Sequence, residues 1–170
     1  MSKVNRQILA DGEFHEIACA VLKDGKTSPV LELLAQLDAG VWPDPSVDEF
    51  PDERQARDRA RFFAEIEHLA NEGEPLRGYN YLHDGIWELK IGPLRVTFYD
   101  TPGDGTFTAK KGRKAEGYWS ASSFHFPHDF DRYVRLGHYF AKTGRKTLPA
   151  DLQRSFDVRQ EDLEHDRRAR

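Results

Sequence analysis

Two turn signals, Asp84-Gly85 and Gly92-Pro93, constrain this chain more than any other feature. In "YLHDGIWELKIGPLRVTFYD", residues 81–100, each separates two short β-prone runs. Links of that length leave no room for a parallel crossover, so the spacing predicts an antiparallel meander over about 77–83, 86–91 and 95–100. Strand alternation places Trp87, Leu89 and Ile91 on one face of the second run and Val96 and Phe98 on one face of the third. Those residues form the expected core. Glu88, Lys90, Arg95, Thr97 and Tyr99 take the opposite faces, expected to be either ordinary solvated sheet or a surface built to hold a phosphate.

The flanking elements follow from period and punctuation. Residues 13–22, "EFHEIACAVL", read as the first strand, ending at Asp24-Gly25. "TSPVLELLAQLDAG" reads as a short helix with Ser28 as N-cap, Pro29 at its first position, Leu31, Leu34 and Leu37 along one side, and Gly40 at its stop. The Pro- and Asp-rich "VWPDPSVDEFP" is a loop. Residues 52–72 predict a second helix with Ala56, Ala60, Phe63, Ile66 and Leu69 on its buried stripe and Gly73 after it. "DRYVRLGHYF" is another strand, and Pro149 opens a C-terminal helix carrying Leu152, Phe156 and Leu163, with "HDRRAR" expected to fray. Residues 101–130 mix Gly, Lys and aromatics without a period and read as an inserted long hairpin. The expected organisation is a single α+β domain over 1–170, with its core at about 13–100 and 131–163.

Charge narrows the classes of partner. The net charge of −4 argues against a general nucleic-acid coat, yet residues 1–75 hold 8 Lys/Arg against 16 Asp/Glu while residues 76–146 hold 12 against 7. An anionic partner should therefore meet the middle segment. No apolar run approaches the roughly 20 residues that span a bilayer, and "MSKVNRQ" lacks a secretion signal's apolar core, so no membrane association and a cytoplasmic location are expected. The one cysteine, Cys19, is expected to be a small core residue.

Four stretches occur together and in order: "GKTSPVLELLAQL" at a helix entry, "DGIWELK", "RVTFY", and "HYFAKTGRKTLP". In that combination the chain resembles the RelE/HigB superfamily of toxins from type II toxin–antitoxin systems, in its phage-derived branch. The likeness runs from about residue 13 to 163, apart from about 30 residues after Asp100. It implies a small antiparallel sheet with an N-terminal strand, an α-helical hairpin and a C-terminal helix. It also implies a translation-inhibiting toxin, an mRNA endoribonuclease working with or without the ribosome, that a helix-turn-helix antitoxin captures. The superfamily includes members that do not cut RNA, so the site has to be argued on its own residues.

Metal-free RNA cleavage needs a 2′-hydroxyl in line with phosphorus, cations facing the phosphate oxygens, and proton transfer to the departing oxygen. Arg95 is the first candidate cation, because a guanidinium stays charged and grips two oxygens, and it matches the family's active-site arginine. A solvated Arg paired with Glu88 is the competing reading. His138 is the histidine in a family-matching position and can exchange protons near neutrality; a hydrogen-bonded strand histidine is the alternative. Lys142 and Tyr99 complete the expected catalytic group, with Lys90, Lys146, Lys110 and Lys111 as expected RNA contacts. His125, His128 and Asp129 lie close together, but a Pro-containing loop lacks rigid ligand spacing, so neither a metal nor another cofactor is expected. The acidic balance and the insert favour an alternative: a non-catalytic phage or prophage protein that uses such a scaffold to bind and inhibit a host factor.

Overall fold

The computed structural model describes residues 4–45, 53–113, 125–142, 144 and 146–169. Among these residues six strands form one sheet: β1 (Ile8–Asp11), β2 (Glu16–Cys19), β3 (Tyr79–His83), β4 (Ile86–Ile91), β5 (Leu94–Thr101) and β6 (Tyr133–Ala141). Three helices join them: α1 (Pro29–Ala39), α2 (Glu53–Glu72) and α3 (Pro149–Arg168). The strand order is β1-β2-β6-β5-β4-β3.

The meander forms where the turn chemistry places it. Asp84 (φ 47°) and Gly85 (φ 81°) both take left-handed backbone, the conformation a two-residue hairpin needs to match strand twist, and Gly92 (φ 57°) does the same before Pro93. The resulting register pairs Trp87 with Phe98, Glu88 with Thr97, Leu89 with Val96, and Lys90 with Arg95.

The sheet is mixed, which corrects the all-antiparallel expectation. β2 pairs parallel with β6, Glu16 opposite Tyr133 through Cys19 opposite Leu136. The whole run of α1, α2 and the meander acts as the crossover that a parallel pair requires. β1, antiparallel to β2, precedes the strand expected first, and that strand itself is shorter than 13–22.

One face carries the main core. Val30, Leu33 and Leu37 of α1 and Phe62, Ile66 and Leu69 of α2 pack on Ile17, Trp87, Leu89, Val96, Phe98, Val134 and Leu136. α1 uses Pro29 at its first turn and Gly40 as its C-cap, but the Ser28 side chain makes no capping bond and Leu31 is exposed. The α2 stripe is rotated from its expected setting. Gln55, Phe62, Glu65, Ile66 and Leu69 are buried, whereas Ala56 and Ala60 are exposed. Glu65 and Gln55 point inward because they hold backbone: Glu65 accepts from the amides of Leu76, Arg77 and Gly78, and Gln55 exchanges hydrogen bonds with both backbone groups of Trp42. Polar residues that satisfy buried loop amides are invisible to a hydrophobic pattern.

α3 covers the opposite face, so Glu88, Thr97 and Tyr99 are buried and not solvated. Its contact is largely ionic. Asp162 and Asp166 take Arg6 at 2.9 Å each, while Arg135 lies 2.9 Å from Asp162 and 3.3 Å from Asp166. His165 bonds the Leu22 carbonyl at 2.7 Å, and the helix continues to Arg168, so the expected fraying does not occur before that residue.

Both described ends of the insert return to the core, and the His125 amide donates to the Arg113 carbonyl at 2.8 Å between them. Residues 102–113 and 125–132 carry no helix or strand; residues 114–124 lie outside the described residues. Phe126 returns to the core against Trp87, Phe98, Tyr79 and Phe130, with ring centroids 4.6–6.1 Å apart. The Trp87 indole N–H donates to the Lys110 carbonyl at 2.8 Å. No described helix is long and apolar enough to cross a membrane.

Candidate functional site

The α3 face of the meander holds a cleft of about 300 Å³ lined by Asn80, Leu82, Glu88, Lys142, Lys146 and Leu152. β3, β4, the segment after β6 and the first turn of α3 build it, with β5 adjoining Glu88 from the side. Asn80 on β3 stands opposite Glu88 on β4, which stands opposite Thr97 on β5. Lys90 and Arg95 are the next cross-strand pair, and Arg95 in turn faces Phe140 on β6. Lys142 follows β6 directly, its amide donating to the Pro93 carbonyl at 2.8 Å.

Glu88 is the centre of this cluster. Its residue is 0% exposed, although it is a carboxylate on a strand of a small domain. Asn80 Nδ2 donates to Oε1 at 3.2 Å, and Arg95 Nε lies 3.7 Å from the same oxygen. Oε2 makes no hydrogen bond among the described residues. Burial raises the Glu88 pKa above the usual carboxylate range, against the Asn80 bond and the charges of Lys142, Arg95 and Lys90.

The cations surround it under different constraints. Arg95 Nη1 donates to the Gly92 carbonyl at 2.5 Å and the Leu94 carbonyl at 3.1 Å, which folds the side chain back over the turn. Burial lowers the Arg95 pKa, with Glu88 offsetting part of that. Burial also lowers the Lys90 pKa, and the neighbouring Arg95 adds to the effect. Lys142 is half-buried and Lys146 exposed. Lys142, Arg95 and Lys90 therefore act on one buried carboxyl and Lys146 lines the cleft beside it, an arrangement suited to a tetrahedral oxyanion that can bridge several donors.

Other expected site residues lie elsewhere. Tyr99 is 1% exposed beneath α3, with its hydroxyl on Asp162, and cannot reach a strand of RNA. Burial, and then the Asp162 charge, push its pKa well above the usual value. Lys110 belongs to the insert's anchorage: Nζ lies 2.7 Å from Asp100 and 3.2 Å from Asp131. Burial works against that ammonium, but the two carboxylates outweigh it and raise its pKa. Lys111 is exposed on the same segment.

His138 sits in a β-bulge. The β5–β6 register slips between Val96 and Phe98, so Thr97 faces an extra residue on β6. The His138 amide donates to the Thr97 hydroxyl at 2.9 Å, and that hydroxyl donates back to the His138 carbonyl at 3.3 Å. The bulge turns the imidazole to Asp151 at the start of α3, 3.1 Å away. Burial lowers its pKa, with Asp151 opposing. It flanks the cleft without lining it.

Cys19 is buried, and burial pushes its thiol up to about 12, with the Ser28 hydroxyl offsetting part of the rise, so it is no nucleophile near neutrality. His125, His128 and Asp129 line a second cavity with Tyr79 and Phe126, but among the described residues no three His, Cys, Asp or Glu side chains are grouped to hold a metal ion. Asn80 is the member that pattern reading did not place here, and Glu88, placed on this face, had no role there beyond pairing Arg95. The available signal was a carboxylate on the Arg95 side of a strand flanked by cations.

No known protein-family profile matches the chain, and no curated protein sequence matches it.

Proposed function

We propose that the protein is a toxin of the RelE/HigB kind that cuts single-stranded mRNA without a metal and is held inactive by a helix-turn-helix antitoxin. One observation carries this reading: Lys142 and Lys146 line a cleft with the buried Glu88, whose carboxyl also feels the charges of Lys142, Arg95 and Lys90. Arg95, fixed by its carbonyl bonds, and Lys90 face the phosphate oxygens as their charge rises. Lys142 and Lys146 follow the adjoining backbone. Glu88 is the group at the cleft able to exchange a proton with a reacting oxygen, and His138 with Asp151 stands at its margin.

The test is induced expression in a bacterial host with mapping of mRNA 5′ ends, for wild type and Arg95→Ala. New ends that vanish in a folded Arg95→Ala protein support the nuclease. Growth arrest without new ends would replace it with a protein that blocks a host factor by binding.

A further inference from the structure

Glu88 occupies the position a phosphate must approach. The carboxyl is 0% exposed, its Oε2 is without a hydrogen bond among the described residues, and Arg95 Nε beside it is likewise unbonded. Glu88 lines a cleft large enough for a nucleotide-sized ligand, with Arg95 Nε 3.7 Å behind its Oε1.

The charged groups around this carboxyl come from every element packed on it. β4 supplies Lys90, β5 supplies Arg95, and the segment after β6 supplies Lys142 and Lys146. β3 contributes the neutral Asn80. α3 contributes the apolar Leu152, with Asp151 one residue earlier bound to His138 and Arg154 beside that histidine. A phosphate that enters must share the cations with a carboxylate already among them. Two like charges about 4 Å apart at a protein's effective dielectric shift a protonation equilibrium by roughly ten- to a thousand-fold. The phosphate also displaces water from a carboxyl that burial already biases toward its neutral form. Neutralising Glu88 removes the repulsion and leaves Lys142, Arg95 and Lys90 to the ligand.

We infer that the cleft takes up a phosphodiester and a proton together, Glu88 becoming neutral as the phosphate settles among Arg95, Lys90 and Lys142. The inference rests on reading the cleft as an RNA-backbone site and adds a regulation to it: affinity rises as pH falls. The sign follows from linkage. Glu88 binds its proton more tightly in the complex, so between its free and bound pKa affinity gains up to about tenfold per pH unit of acidification and is flat outside that window.

The probe is a thymidine tetramer of DNA without terminal phosphates. It cannot be cut through a 2′-hydroxyl, and its phosphodiesters and bases keep their charge between about pH 5 and pH 8. Titration calorimetry at low salt, in two buffers of different ionisation heat, reads the protons bound. Expected are uptake of up to one proton by the wild-type chain, no uptake and pH-independent affinity in Glu88→Gln, and retained uptake in His138→Gln. Binding without proton uptake by wild type, uptake that persists in folded Glu88→Gln, uptake lost in His138→Gln, or no binding at all would each overturn the coupling. Cleavage of RNA is scored separately. Proton-linked tetramer binding without RNA cleavage sinks the nuclease reading alone, and cleavage with proton-independent tetramer binding sinks the coupling alone.

Discussion

The Tyr99 hydroxyl donates to the Asp162 carboxylate between β5 and α3, and the same carboxylate takes Arg135 at 2.9 Å and Arg6 at 2.9 Å. Asp162 thus fixes α3 over the sheet, and α3 in turn covers the Glu88 face. Tyr99 acts in cohesion, so Tyr99→Phe should cost about 1–2 kcal/mol, the loss of one buried bond to a charged group, and leave RNA cleavage unchanged. Asp162→Asn should cost more, about 3 kcal/mol, because it removes the charge that Tyr99, Arg6 and Arg135 share and leaves both guanidinium groups to Asp166. Urea denaturation midpoints give both values. Equal, small effects from the two would mean that the network does not hold α3.

Arg95 is tested by geometry as well as by charge. Arg95→Lys keeps the cation but loses the planar guanidinium, whose Nη1 bonds the Gly92 and Leu94 carbonyls while its Nε lies beside Glu88. Cleavage should fall about tenfold in Arg95→Lys and at least about a hundredfold in Arg95→Ala, measured as single-turnover rates on a short RNA. A lysine variant as active as wild type would show that position contributes charge alone.

Glu88 should trade stability for function. Its folded pKa is raised by burial, so the native state holds a proton more tightly than the unfolded chain and loses stability as pH rises through the folded pKa. Glu88→Gln removes that cost, and it should be more stable than wild type at pH values above the folded pKa. The difference should close as pH falls toward the ordinary carboxylate value. Denaturant midpoints for both proteins across pH decide this, and a glutamine variant weaker than wild type in mildly alkaline buffer would contradict it.

Phe126 makes the insert part of the core. It is 3% exposed and packs on Trp87 with ring centroids 5.1 Å apart. Phe126→Ala should destabilise the whole domain by about 3–5 kcal/mol, read as a shift of one cooperative unfolding transition. A native-like transition with only local loss around residue 126 would show the insert folding apart from the core.

Several features were legible because their causes are local. Asp84-Gly85 and Gly92-Pro93 demand particular backbone angles whatever surrounds them, so the meander and its cross-strand pairs follow from residues within one 20-residue window. The pleat puts Glu88, Lys90 and Arg95 on one face for the same reason. Pro29 and Gly40 bracket α1 by the same kind of local rule.

What closes over that face is set at long range. α3 turns Ser155, Arg159, Asp162 and Asp166 inward, a polar stripe with no hydrophobic signature, and it buries because its charges meet Arg6, Arg135 and Asp84 from distant segments. The parallel pairing of β2 with β6 likewise joins residues more than 110 positions apart. By itself, then, the amino-acid order determined which side chains share a face and that Lys90 lies beside Arg95. Only the tertiary structure decided that Tyr99 and Lys110 serve cohesion, that His138 turns to Asp151, and that Glu88 is enclosed among the cations. Dihedral preference is a property of neighbours in the chain, whereas burial depends on which remote element arrives to exclude water.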